Sequence, residues 1–170
     1  MKRTKLLALA LAGVMMLALL TGCSDSSSKA KQVEECFRSR MKQRGDYQKD
    51  ETLDKKLEVI AQKFQPSWLA DGGDMLTDEA QNIIKNDLQD YLVTGGVHLW
   101  YGKVKPGQSA QAQAESMMQC KGIRFDSYGE YSGPQQSLDA IAFTMTDKKS
   151  DGHRYYLALV TKATVNPPQN

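Results

Sequence analysis

Apolar residues in the first half of the chain recur at intervals of three and four. Val33, Cys36, Phe37 and Met41 form one stripe, which stops at Gly45. Leu53, Leu57, Ile60, Ala61 and Phe64 form a second, which stops at Pro66. This is the spacing of helices that bury one face, and Gly or Pro commonly ends such a run. Thr77 is placed to cap a third helix, with Asp78 and Glu79 in its first turn, where negative charge is favoured. The buried face of that helix is expected to be Ala80, Ile83, Ile84, Leu88, Tyr91 and Leu92.

The second half changes period. Val97, Leu99 and Tyr101 alternate with His98 and Trp100 between Gly95-Gly96 and Gly102, the pattern of a strand or an extended loop. Pro106-Gly107 breaks the chain, and Ser109 can cap a short helix carrying Ala110, Ala114, Met117 and Met118 on one face. Ile141, Phe143 and Met145 then alternate in one strand and Tyr155, Leu157 and Leu159 in another. With an Asp151-Gly152 turn between them, they predict a closing hairpin. Helices first, then a mainly antiparallel sheet for them to cover, predict an α+β domain in layers.

The start of the chain is different in kind. Lys2, Arg3 and Lys5 precede an uncharged apolar run over residues 6–20. The run is short for a bilayer span, which needs about 20 apolar residues, and suits a secretory signal. Leu20-Thr21-Gly22-Cys23 resembles the bacterial lipobox, in which the cysteine is diacylated and the chain is cut before it. This implies a signal peptide over residues 1–22, a lipidated Cys23 with a flexible tether over 23–31, a domain over 32–163 and a disordered tail over 164–170. Ser24, directly after the cysteine, is compatible with outer-membrane sorting in a bacterium with two membranes. The expected location is the cell envelope, on the extracytoplasmic side.

Charge and cysteines refine this picture. Loss of Lys2, Arg3 and Lys5 moves the formal charge from +2 to −1, so the pI of 8.3 belongs largely to the leader. A near-neutral domain makes no electrostatic case for nucleic acid or for an anionic membrane surface. Outside the cytoplasm, Cys36 and Cys120 are candidates for a disulfide, with two buried thiols acting as small hydrophobes as the alternative.

Three stretches, in order, carry a resemblance to the bacterial CAP (SCP/PR-1-like) domain. Asp54, Leu57 and Ala61 are similar to the family's opening helix pattern. Gly96-Val97-His98-Leu99-Trp100-Tyr101-Gly102 resembles its Gly-Glu-Asn-Ile-Ala-Tyr-Gly segment. Met117-Met118-Gln119-Cys120-Lys121-Gly122-Ile123-Arg124 stands where the family has Trp-Met-Asn-Ser-Pro-Gly-His-Arg. The resemblance implies a three-layer α/β/α sandwich with a cleft around Val97, His98, Trp100, Ile123 and Arg124. It also implies that the family's metal-holding tetrad of two histidines and two glutamates is lost. Val97 occupies the glutamate position and Ile123 a histidine position, residue 68–75 (WLADGGDM) offers no histidine, and neither aliphatic side chain can ligate a metal.

Other candidate chemistry is sparse. His153 follows the Asp151-Gly152 turn and reads as a solvated hairpin residue, while His98 has nothing beside it in sequence to orient it as an acid or base. Asp71-Gly72-Gly73-Asp74 lacks the ligand alternation of a calcium loop and reads as a turn. Trp100, Tyr101, Tyr128 and Tyr131 are aromatic residues that could line a groove. The expectation is a non-catalytic envelope lipoprotein with no cofactor and no metal, which binds a small apolar, glycan or protein ligand. The alternatives are a hydrolase of an envelope polymer using acidic residues or His98, and an unrelated cystatin-like or NTF2-like assembly or stress lipoprotein.

Overall fold

The computed structural model describes residues 26–70, 75–92, 95–119, 123–125 and 139–163. Helix α1 spans Ser26–Lys42 and α2 spans Glu51–Lys63. A 3-10 turn at Pro66–Trp68 then leads into a two-rung ladder of β1 (Leu69–Ala70) and β2 (Met75–Leu76). Helices α3 (Asp78–Asp87) and α4 (Gln89–Leu92) follow, then strand β3 (Gly95–Lys103) and helix α5 (Ala110–Gln119). Strands β4 (Ile123–Phe125), β5 (Ala140–Met145) and β6 (Tyr155–Ala163) complete the order.

The helix boundaries follow local chemistry. Asp50, extended at φ −127° and ψ 111°, accepts the Thr52 N–H at 2.9 Å and so caps α2. At the other end of α2 the Lys149 ammonium donates to the carbonyls of Ala61 and Gln62, at 2.8 and 3.1 Å, where the orphan carbonyls of a helix lie. Thr77 caps α3 through the Ala80 N–H, and Ser109 caps α5 through the Ala112 N–H at 3.1 Å. The expected third helix breaks at Leu88, so Tyr91 and Leu92 belong to the separate short α4.

One boundary is corrected. The tether expected over residues 23–31 overlaps α1, which is already helical from Ser26. Ala30 and Val33 pack against the core, and a helix anchored by such contacts extends through neighbouring Ser and Lys, since propagation is easy once a nucleus is held.

The four-stranded sheet has the order β4-β3-β6-β5, and every pairing is antiparallel. Among the described residues, helices cover both faces of this sheet, as a three-layer α/β/α sandwich requires. Val97, Leu99 and Tyr101 of β3 share one face with Leu157 and Leu159 of β6, packed under α2, α3 and α4. Trp100 shares the other with Ile141, Tyr156, Ala158 and Val160, packed under Val33, Phe37 and Met41 of α1 and Ala114 and Met117 of α5. Gly102 lets α5 approach closely, for a Cβ there would stand 2.8 Å from Met117 Cγ. The outer edge of β5 meets Gln48 in a parallel bridge, in which Gln48 N–H donates to Asp139 O and Ile141 N–H to Gln48 O.

The hairpin closes as the sequence predicts, with Gly152 at φ +79°, a conformation that suits glycine. Gln113 is a polar residue buried within α5. Its amide accepts the Lys105 N–H at 2.7 Å and donates to Gln108 Oε1 at 3.1 Å, which ties the 104–109 turn to the helix.

Candidate functional site

The five residues expected to line one cleft are divided by the sheet. Val97 is fully buried in the core beneath α2–α4. His98 and Trp100 point to the opposite face, and their rings stack at 4.2 Å with an interplanar angle of 10°. Trp100 is itself core, 6% exposed and edge-on to Phe37 at 6.5 Å. By register Arg124 stands opposite His98 and Ile123 opposite Leu99. Successive strand residues alternate faces, so His98, Trp100 and the Arg124 position share one side while Val97 and the Ile123 position share the other. The aromatic residues expected around a groove divide likewise. Trp100 and Tyr101 are buried on opposite faces, and Tyr128 and Tyr131 lie outside the described residues.

The expected disulfide falls partly outside the described residues. Cys36 is a half-buried free thiol on α1; Cys120 lies outside the described residues, as do Cys23 and the 71–74 turn. Arg40 pairs with Glu115, and Arg40, Gln43 and Arg44 share a groove with Glu115, Met118 and Gln119, so α1 and α5 run in the same direction.

The larger opening lies elsewhere. A groove of about 570 Å³ runs between the end of α2, the 3-10 turn and the start of α3, lined by Lys63, Gln65, Ser67, Trp68, Thr77, Glu79 and Ile83. Trp68 lines it although only 8% exposed; it belongs to the core, edge-on to Phe64 at 5.8 Å, which in turn packs on Tyr155 at 5.0 Å. Lys63 is fixed at the rim by Asp87, with contacts of 2.7 and 2.9 Å. Glu79 supplies a carboxylate on the same groove, so groups of both charges line it with the tryptophan. The sequence signal was a tryptophan two residues after the helix-stopping Pro66.

Two polar networks brace the core around these elements. The Tyr155 hydroxyl donates to Asp151 at 2.6 Å, the His153 N–H donates at 3.0 Å, and Lys103 stands 3.3 Å away. The Tyr155 bond, then the His153 amide and Lys103, hold the Asp151 carboxyl down at about 2, while burial and the same bond push the Tyr155 phenol up to about 12. At the other end of the sheet the Tyr91 hydroxyl donates to Asp50 at 2.5 Å, and burial, followed by that bond, raises the Tyr91 phenol. Asp54 nearby is also raised, chiefly by burial. These groups are occupied in holding helix ends and the hairpin, whereas the Trp68 groove is open to solvent.

Among the described residues, no helix is long and apolar enough to cross a membrane. No protein family, curated protein or solved structure matches this chain.

Proposed function

We propose that this chain is a cell-envelope lipoprotein, anchored through an acylated Cys23, whose α/β/α domain is a non-catalytic binding module resembling a degenerate CAP domain. The observation that carries the anchor is Leu20-Thr21-Gly22-Cys23 at the end of a basic-then-apolar leader. Two acyl chains hold a protein on a bilayer where a single chain binds only marginally. The ligand is taken by the groove that Trp68 lines together with Lys63 and Glu79, where an aromatic residue beside groups of both charges suits a polar envelope molecule such as a glycan or glycopeptide.

Two experiments test this reading. Mass spectrometry of the mature chain is expected to find an acylated N-terminal Cys23, and a Cys23→Ser chain is expected to stay unprocessed and unacylated. The chain has two tryptophans, Trp68 and Trp100, so fluorescence can locate a ligand. Soluble glycopeptides released from the envelope should change the emission of the parent and of Trp100→Phe, and leave Trp68→Phe unchanged. Turnover of an envelope polymer that His98→Ala abolishes would instead establish the hydrolase alternative.

A further inference from the structure

Basic side chains far apart in sequence meet at one end of the sandwich. Lys103 ends β3 opposite Tyr155, and the Val104 N–H donates to Arg154 O, so the 104–109 turn lies against the base of the hairpin. That places Lys103, Lys105, Lys148, Lys149 and Arg154 together. The first turns of α1 come to the same end. Helix α5 starts there, at the Lys105–Gln113 bond, and α1 runs alongside it in the same direction; the chain after α1 reaches Ala140 at the far end of the sheet. A helix of 17 residues spans about 25 Å, so Lys29 and Lys31 lie at the hairpin end.

Charge is thereby segregated in a domain whose net charge is close to zero. Against these seven basic groups the same turns carry two acids, Asp147 and Asp151, and Asp151 already pairs with Lys103. Lys31, Lys105 and Lys148 are exposed and form no ion pair with any described residue. Asp78 and Glu79 at the start of α3 bound this surface on the opposite flank, where Thr77 meets Trp68. At the far end the charges are matched, with Asp46, Asp50, Glu51, Asp54 and Asp139 against Lys42, Arg44, Lys49, Lys55 and Lys162.

We infer that the hairpin end is the surface the domain turns toward an anionic phospholipid bilayer; this rests on the lipoprotein reading. Two residues separate Cys23 from Ser26, where α1 begins, and three Cα steps span at most about 11 Å. Attraction of lysines to an anionic surface acts over about one Debye length, ~8–10 Å. The anchor thus holds the basic end within reach of the headgroup field. It delivers the Trp68 groove beside the bilayer and turns the charge-balanced end outward.

The test uses the full chain, processed in a bacterium and reconstituted into vesicles with about one-third phosphatidylglycerol or with phosphatidylcholine alone. An impermeant amine-acylating reagent then reads each lysine by mass spectrometry. Expected is a several-fold slower modification of Lys31, Lys105 and Lys148 on the anionic vesicles, reversed by high salt, with Lys42 and Lys49 unchanged. A Lys105→Glu/Lys148→Glu chain, altered only at exposed positions, is expected to lose the protection of Lys31. Even labelling of all lysines, or protection of Lys42 and Lys49 instead, on chains whose mass shows the acyl group, overturns this orientation and leaves the anchor intact. Absence of the acyl mass on Cys23 overturns the anchor itself.

Discussion

Gly102→Ala probes the closest contact between a helix and the sheet. The added Cβ would stand 2.8 Å from Met117 Cγ and 3.6 Å from Met117 Cα. Carbon atoms are at ease about 3.5–4.0 Å apart, so Cγ must retreat by roughly 1 Å. Met117 is fully buried, and Ala114 of the same helix is 1% exposed, so the retreat moves α5 or forces a poor rotamer. Overpacking of this kind costs about 1–3 kcal/mol, and the loss of glycine's freedom in the unfolded chain offsets about 0.4–1 kcal/mol of it. The expected net loss is about 1–2 kcal/mol, or a fall of roughly 3–8 °C in Tm for a domain of this size. Thermal and urea unfolding of residues 24–170 measure it, and a double-mutant cycle isolates the cause. Met117→Ala alone should cost about 2–5 kcal/mol, but it removes the clashing Cγ, so the two changes together should cost less than their sum by about 1 kcal/mol or more. A Gly102→Ala chain as stable as its parent, or two effects that simply add, refutes the close approach.

Other expected outcomes follow from the polar networks and the thiol. Asp50→Ala removes both the cap of α2 and the acceptor of the Tyr91 hydroxyl, so equilibrium unfolding should show a loss of about 2–4 kcal/mol, partly restored by Asp50→Asn. Asp151, held at about 2, contributes stability that is present above the ordinary carboxylate range and lost as pH falls toward 2. Tyr155, raised to about 12, contributes stability present below the ordinary phenol range and lost as pH rises toward 12. Tyr155→Phe should move the Asp151 titration upward in a carboxyl-detected NMR experiment; an unmoved midpoint would show that the hydroxyl does not hold it. Cys36 is a free thiol, so adding a reductant should leave the unfolding midpoint unchanged.

The local elements were legible because their signals are local. Leu53, Leu57, Ile60 and Ala61 are the buried face of α2; Thr77 and Ser109 cap the helices they were expected to cap; and Asp151-Gly152 turns the hairpin. Alternation in β3 was legible as a strand and misleading as a site. When helices cover both faces, a residue on the second face can be buried too, so Trp100 becomes core and a cleft drawn through consecutive positions is cut by the sheet. The Trp68 groove depends on the packing of three elements that no short window contains, and the 3-10 turn with its two-rung ladder leaves almost no periodic trace. The same limit hid the basic end. Lysines at 29, 31, 103, 105, 148 and 149 are dispersed along the chain, and net charge averages them away.

The central position of β6 sets the order in which this chain can become a protein. Its ladder with β3 joins Gly95 to Ala163 and Lys103 to Tyr155, and among the described residues β5 is joined to the sheet only through β6. A chain arriving from its N-terminus therefore holds β3 and β5 with nothing between them until residue 163 is delivered, and pairing across such sequence distances is slow. The sheet therefore closes only when its last strand is available to stand between β3 and β5.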